Sequence, residues 1–280
     1  MAARLQETVE EIAARAGAEA VAVAVWDQAS ATSWSYYGDR WFHAASTIKV
    51  AVLVGLFAAV EAGRFRLDDR LHVRNRFLSV HDGAAFAIAA SRDADAEIHA
   101  ATGKLLRLRR LAESMIATSS NLATNLLLDL VGVEAARRAV AELGIGGVEL
   151  ARGVEDEAAH AAGIDNRVTA EGLVGVFRRV EEGRAVSPEA SAAMLEVLHK
   201  QAFRSGIPAG LPDAARSDAR FAHKTGETST VSHDAGLVYL PDRPPYAVAI
   251  LTQWAGEGGA RRETVAKLSQ AVYRHLTGEA

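Results

Sequence analysis

The stretch Phe42–Gly63, FHAASTIKVAVLVGLFAAVEAG, decides how the rest of the chain is interpreted. The segment Thr47–Val60 is apolar on nearly every side, and a helix that is apolar all round must be buried all round. Gly63 is a typical residue at the C-terminus of a helix. Ser46 therefore places a polar hydroxyl at the start of the most buried helix of the chain, and this placement needs a reason.

Lys49 follows three residues after Ser46, which puts its amine on the same face of the helix as the hydroxyl. A serine hydroxyl becomes nucleophilic when a base takes its proton, and burial makes an amine a suitable base because it lowers the pKa of that amine. The N–H groups at a helix N-terminus also favour developing negative charge. The alternative is that Ser46 caps the helix and Lys49 reaches the surface. The S-x-x-K spacing alone does not decide between the two.

The composition excludes several classes of protein. The 280 residues are 49% hydrophobic and 24% charged, which is typical of a globular protein with one large domain or two lobes. A net charge of −4 gives no general attraction for nucleic acid, and no apolar run is long enough to span a membrane. Cysteine is absent, which excludes disulfides and cysteine-bound metal. The charged first residues do not resemble a signal peptide, so we expect a cytoplasmic protein, or a secreted or periplasmic one if a leader was removed.

The order of the predicted elements indicates an α+β fold. Strands are predicted in the first and last thirds of the chain, helices between them, and a helix at each end. We expect one antiparallel sheet built from both ends, covered by the terminal helices, with an inserted all-helical lobe. The predicted sheet lobe is 1–45 with 205–280, and the helical lobe is 46–204. Two segments lack clear helix signals: Ala87–Gly103, which has no period, and Leu150–Arg167, a long loop of a kind that often carries function.

Two further polar motifs follow the first. Ser119, Ser120 and Asn121 stand at the junction of two predicted helices, where a double N-cap is the alternative explanation. The segment 223–226, HKTG, ends a predicted strand, where a plain edge strand and turn is the alternative. All three motifs in the order S-x-x-K, S-x-N and K-T-G favour a serine acyl-transfer site.

On these motifs the chain resembles the penicillin-recognising serine hydrolases, and within them the class A β-lactamase-like branch. The likeness extends over almost the whole chain and includes Phe42, the run SSNLATNLLL and the loop RGVED. It implies an α/β fold in which a five-stranded antiparallel sheet is flanked by the N- and C-terminal helices. It also implies an active site in the cleft between the sheet lobe and the helical lobe. We expect a monomer that acts on a β-lactam or related amide or ester, without a cofactor and without a nucleic-acid or membrane partner.

The resemblance also implies roles for individual residues. Ser46 is expected to be the acylated nucleophile and Lys49 a base for acylation. Ser119 is expected to relay a proton to the leaving nitrogen, and Glu155 to activate the water that deacylates the enzyme. The implied substrate-binding residues are Asn121, Lys224, Thr225, Gly226, Glu227 and His233.

These binding residues have different expected tasks. Asn121 is expected to hold the substrate amide, while Lys224 and Thr225 bind the substrate carboxylate. The backbone N–H groups of Ser46 and Glu227 are expected to form the oxyanion hole. Which residue is the base for acylation in such enzymes is disputed, and the sequence does not decide it.

The sequence departs from the class A pattern at three places. Ser120 stands where that pattern has an acidic residue. Ala159 stands four residues after Glu155, where an asparagine helps to hold the hydrolytic water, so slow deacylation is an expected consequence. No arginine lies in the segment Glu227–Ala235, and His233 is the nearest candidate for a carboxylate-binding residue.

Several alternatives stay open at this point. Asp156 competes with Glu155 for the role of positioning the water. The substrate could instead be a peptide, amide or ester of a D,D-peptidase, amidase or esterase, or the protein could be a penicillin binder that acylates once and stalls. The histidines at 160, 223 and 233 form neither H-x-H-x-D nor H-E-x-x-H, so we do not expect a zinc hydrolase.

Overall fold

The computed structural model describes residues 2–256 and 260–279. The strands within them are β1 Ala20–Asp27, β2 Thr32–Tyr36, β3 Phe42–His43, β4 Arg70–His72, β5 Phe77–Leu78, β6 Ala85–Phe86, β7 Leu105–Arg107, β8 Val148–Glu149, β9 Arg167–Val168, β10 Arg220–Glu227, β11 Val231–Leu240 and β12 Arg243–Gln253. The α-helices are α1 Ala2–Ala16, α2 Lys49–Glu61, α3 Ala96–Ala100, α4 Leu108–Ala117, α5 Asn121–Val131, α6 Val133–Ala141, α7 Glu157–Ala161, α8 Ala170–Glu181, α9 Pro188–Leu198, α10 Asp213–Asp218 and α11 Arg261–Thr277. Short 3-10 helices cover Ala45–Ile48, Ala90–Arg92 and Ile207–Gly210.

The main sheet has five antiparallel strands in the order β10, β11, β12, β1, β2. This confirms the predicted five-stranded sheet built from both ends of the chain. Every residue of β1 is buried, and its valines at 21, 23 and 25 enter one core with residues of α1 and α11. Alternate residues of a strand face the same side of a sheet, so these valines mark the face that the terminal helices cover.

Helix α2 is buried along most of its length, as its sequence predicts. Ile48 occupies the N-cap position without a side-chain hydrogen bond, and Ser46 lies on the 3-10 helix before it. Lys49 is fully buried. The alternative of a capping serine beside a surface lysine is therefore wrong. Gly63 ends the turn after the helix with φ +70°, a conformation that glycine adopts without strain.

Two segments predicted without clear elements contain short helices. Asp95 caps α3 by accepting from the N–H groups of Glu97 and Ile98, at 3.1 and 3.3 Å. Asp156 caps α7 by accepting from the N–H group of Ala159 at 3.1 Å. A five-residue helix is too short to show a hydrophobic period, so the cap is its main sequence signal.

The chain divides into two compact units whose bounds differ from the predicted lobes. The first unit contains residues up to 47, 168–178 and from 203 onward, and the second contains 48–167 and 179–202. The segment 168–178, predicted in the helical lobe, thus belongs with the sheet. Two contacts explain this: Ser35 Oγ donates to Glu171 Oε1 at 2.6 Å, and the Arg178 guanidinium lies 4.8 Å from the centre of the Trp26 ring.

The second unit is mainly helical but not all-helical. It also contains two short antiparallel pairs, β4 with β7 and β5 with β6. Across the described ranges, we find no helix that is both long and apolar enough to cross a membrane.

Candidate active site

The Lys49 amine lies buried at the first residue of α2, inside the second unit. Its Nζ donates to the Ser119 carbonyl oxygen at 2.6 Å and to Asn121 Oδ1 at 2.7 Å, and it lies 3.0 Å from Ser119 Oγ. The first two partners only accept, and they match the two N–H groups of a neutral amine. A hydroxyl can either accept from an ammonium or donate to the lone pair of an amine. These contacts therefore suit both protonation states of the Lys49 side chain.

The two serines before α5 have separate tasks. Ser120 is the N-cap and accepts from the N–H group of Ala123 at 3.1 Å. Ser119 has φ +63°, a left-handed conformation that costs free energy for a residue other than glycine. Its carbonyl and hydroxyl meet Lys49 in that conformation. The double-cap interpretation therefore holds for Ser120 and is wrong for Ser119.

Asp93 supplies a carboxylate where the second motif lacks its acidic residue. Its Oδ2 accepts from the N–H group of Leu122 at 2.8 Å and from Ser120 Oγ at 3.1 Å. A carboxylate at a helix N-terminus is stabilised by the free N–H groups and the helix dipole. A negative charge at the start of α5 is thus supplied by Asp93, from another segment of the chain, and not by residue 120.

Glu155 joins the cluster around Lys49 through Asn121. Asn121 Nδ2 donates to Glu155 Oε1 at 3.2 Å, while the oxygen of the same amide accepts from Lys49. Glu155 has φ +59°, so it is a second residue of this cluster in a strained conformation. Asn125 fixes the preceding residue, Val154, because its side chain accepts from the N–H of Val154 at 2.9 Å and donates to its C=O at 2.8 Å.

The neighbouring acid, Asp156, has a structural position. Its carboxylate is buried, caps α7 and accepts from the N–H group of Val80 at 3.0 Å. Of the two competing acids, only Glu155 contacts the Lys49 and Asn121 group. Ala159 is fully buried in α7, so the position where an asparagine is expected carries only a methyl group.

The first unit brings the turn that bears Ser46 against the K-T-G strand. A Cβ atom on Gly226 would lie 3.1 Å from the Thr47 nitrogen and 3.2 Å from the Ala44 oxygen, so only glycine allows this approach without a shift. Ala45, directly before Ser46, has φ +46°. Thr47 Oγ1 donates to the Ala44 carbonyl at 2.6 Å and tightens the same turn. Ser46 itself is partly exposed.

Lys224 is fully buried in β10, and Thr225 beside it is half-buried. Burial lowers the pKa of Lys224 to about 7, against a raising effect from the Asp234 charge. Asp234 is itself held by His223 Nδ1 at 2.8 Å and by the N–H group of Ile207 at 2.8 Å. Lys224 Nζ donates to the Thr225 carbonyl at 2.9 Å and is buried away from water, so an anionic ligand would favour its charged form.

His233 is buried with both ring nitrogens engaged. Its Nδ1 accepts from the N–H group of Thr252 at 3.2 Å, so Nε2 carries the proton and donates to the His43 carbonyl at 3.0 Å. Burial lowers the pKa of His233 to about 4, which keeps the ring neutral near pH 7. A neutral ring in these contacts does not favour its predicted role in carboxylate binding.

Two arginines outside the sequence motifs lie beside the K-T-G turn. Arg262 at the start of α11 donates from Nε to Glu227 Oε2 at 2.9 Å. Arg261 donates to the carbonyl oxygens of Thr228 and Ser229, at 2.8 and 2.7 Å. The Glu227 side chain thus points to α11, which leaves its backbone N–H as the group with a predicted catalytic task.

Among the described residues, no group of three or more His, Asp or Glu side chains is arranged to hold a metal ion.

The sequence model of the beta-lactamase enzyme family matches residues 4–276. The chain belongs to the beta-lactamase enzyme family. A beta-lactamase of Rhodobacter capsulatus is 27% identical over 273 residues, which are 96% of this chain and 87% of that protein. A solved beta-lactamase from Sphaerobacter thermophilus is 27% identical with a TM-score of 0.80, covering 98% of this chain and 97% of that chain. A PBP-A mutant, solved as an acyl-enzyme complex with penicillin G, is 25% identical with a TM-score of 0.80, covering 99% and 97%.

For this member of the beta-lactamase family, the motifs led to Lys49, Ser119, Asn121 and Glu155, which the structure brings together. They did not lead to Asp93 or to Arg92, which lie in the segment without a period. The available signal was the acidic run S-R-D-A-D at 91–95, whose aspartates both bind N–H groups at helix starts. Only the folded structure shows which helices these are.

Proposed function

We propose that this beta-lactamase family member is a serine hydrolase that opens the β-lactam amide through an acyl-enzyme on Ser46. The observation that carries the proposal is the buried Lys49 amine, three residues after Ser46, in contact with Ser119 and Asn121. The relatives add support, since one is named a beta-lactamase and another was solved as an acyl-enzyme with penicillin G.

In the proposed acylation step, Ser46 Oγ attacks the carbonyl carbon of the lactam as Lys49 takes the hydroxyl proton. The N–H groups of Ser46 and Glu227 stabilise the oxyanion, and one such donor is worth about 10²–10³ in kcat in comparable enzymes. The C–N bond then breaks, and the leaving nitrogen takes a proton from Ser119. The short distance between Ser119 Oγ and Lys49 Nζ, 3.0 Å, supports this path because the lysine can return the proton to Ser119.

In the proposed deacylation step, the Glu155 carboxylate takes a proton from water as the water oxygen attacks the ester carbonyl. The ester bond to Ser46 breaks, and Ser46 Oγ takes up the proton that Glu155 removed from the water, so that Glu155 returns to a carboxylate. Asn121 holds the substrate amide, and its contact with Glu155 at 3.2 Å supports a base close to the bound acyl group. Lys224 and Thr225 bind the substrate carboxylate, and Gly226 lets the strand approach the Ser46 turn.

One observation favours a second candidate function, a penicillin-binding protein or D,D-peptidase with the same nucleophile. Ala159 is buried and offers no amide to hold the hydrolytic water, so one expected contact of a fast hydrolase is missing. The likeness to PBP-A points the same way. Such a protein would acylate with a penicillin and release it slowly.

Turnover of a chromogenic cephalosporin distinguishes the candidates. Sustained turnover, in which each enzyme molecule converts many molecules of the cephalosporin, supports the β-lactamase proposal. A burst of one product per enzyme followed by a stall supports the penicillin binder, and turnover of D-alanyl peptides or esters alone supports the peptidase or esterase. The Ser46→Ala variant is the control, and it should show neither burst nor turnover.

A further inference from the structure

Arg92 makes a two-point contact with the carboxylate of Glu155. Its Nε donates to Oε2 at 2.8 Å and its Nη2 donates to Oε1 at 3.3 Å. The Arg92 side chain is 64% exposed and that of Glu155 is 19% exposed, so the arginine holds the carboxylate from the solvent side. The hydrogen bond to Glu155 raises the pKa of Arg92 above its already high value, and the guanidinium stays charged in the accessible pH range.

The backbone around Arg92 is anchored to the start of α5. Asn121 Nδ2 donates to the Arg92 carbonyl oxygen at 2.7 Å, and the following residue, Asp93, accepts from the N–H group of Leu122. The same Asn121 amide nitrogen donates to Glu155. The side-chain nitrogen of Asn121 therefore contacts both Arg92 and Glu155, and the oxygen of the same amide accepts from Lys49.

The backbone of Glu155 is fixed, but its side chain depends on few contacts. Asn125 binds the peptide before it and Asp156 caps the helix after it. Among the residues that the structure describes, Arg92 and Asn121 supply the hydrogen bonds to the carboxylate, and Arg92 supplies two of the three. Because Ala159 has no polar group, helix α7 adds none from that position.

We propose that Arg92 is a positioning residue that orients the Glu155 carboxylate for attack of water on the acyl-enzyme. This inference rests on the function proposed above and names a residue outside its motifs. A carboxylate offers about four acceptor positions, and three N–H donors leave one of them for the water. Glu155 takes the proton of that water while the new C–O bond forms and the ester bond to Ser46 breaks. Without Arg92, one hydrogen bond remains and the carboxylate can rotate away.

The test compares the lifetime of the penicilloyl adduct on Ser46 in Arg92→Gln and in wild type, followed by mass spectrometry of the intact protein. We expect the lifetime to rise about tenfold to a hundredfold, as for a displaced catalytic group, while the acylation rate changes little. Arg92→Lys keeps the charge and loses the two-point geometry, so its lifetime should lie between the two. The matched control is Arg110→Gln, because Arg110 makes an exposed 2.8 Å ion pair with Glu97 in the same unit.

A double variant separates positioning from a general structural effect. If Arg92 acts through Glu155, adding Arg92→Gln to Glu155→Gln should not lengthen the lifetime further. The inference is overturned if Arg92→Gln leaves the lifetime unchanged or shortens it, or if Arg110→Gln lengthens the lifetime as much as Arg92→Gln does. It is also overturned if the lifetime in the double variant is lengthened by the product of the factors seen in Arg92→Gln and Glu155→Gln alone. The proposed function fails in a different way, by the absence of cephalosporin turnover in wild type together with the absence of any adduct on Ser46 in Glu155→Gln, and both proposals then fall together.

Discussion

Replacing Glu155 or Asp156, the two adjacent acids of the long loop, should produce opposite defects in stability and in chemistry. Asp156→Ala removes the cap of α7, which is worth about 0.5–2 kcal/mol, and the acceptor for the Val80 N–H group, worth about 1 kcal/mol. The expected loss is roughly 1.5–3 kcal/mol, or a fall in Tm of about 3–10 °C for a protein of this size. Glu155→Gln removes a pair with a largely exposed arginine, so it should cost at most about 1 kcal/mol.

The defects in chemistry should run the other way. Glu155→Gln should still acylate with a penicillin, and it should accumulate the adduct because the water loses its base. Asp156→Ala, measured below its own Tm, should release the adduct at close to the wild-type rate. The assays are thermal unfolding and the time course of the adduct mass in each variant. Trapping in the Asp156 variant with normal release in the Glu155 variant would refute this assignment of the loop.

Three further predictions concern the other site residues. Lys49→Ala should slow acylation by about 10²-fold or more, because proton transfer is lost, and a stopped-flow burst of unchanged rate would contradict this role. Because burial places the pKa of Lys224 near 7, the ammonium is lost as pH rises through about 7; kcat/KM for an anionic cephalosporin should fall over that range. Lys224→Ala should lose this pH dependence and have a raised KM, and a wild-type profile in the variant would count against carboxylate binding. Gly226→Ala places a Cβ 3.1 Å from the Thr47 nitrogen and should reduce acylation about tenfold with little change in Tm. Unchanged acylation would show that the Ser46 turn tolerates the shift.

The long, periodic elements of this fold follow from the sequence. Helix α2 is recognisable because its apolar residues run all round, and β1 because AVAVAVW alternates small and branched residues within a buried strand. The order of the strands and helices then predicts one antiparallel sheet that contains strands from both ends of the chain. Hydrophobic burial decides these features, and burial leaves a regular pattern in the sequence.

The missed features depend on single side chains that reach across the fold. The segment before Arg92 has no hydrophobic period, and its backbone is held instead by the Asn75 side chain, which binds both the N–H and the C=O of Ile88 at 2.8 Å. The orientation of Glu155 against Asp156 follows from one positive φ and from the amide of Asn125. Such contacts join residues far apart in sequence, so neither spacing nor composition reveals them. Recognition of the motifs selects the candidate acids, and only the structure distinguishes them.

The central claim is that Ser46 is the covalent nucleophile of this protein. The direct measurement is the intact mass of wild type and Ser46→Ala after brief exposure to a penicillin, with peptide mapping of any adduct. We predict a wild-type mass increased by one penicillin, with the modification on Ser46, and no increase in the variant. An adduct that persists in Ser46→Ala, or that maps to Ser119, would contradict the account.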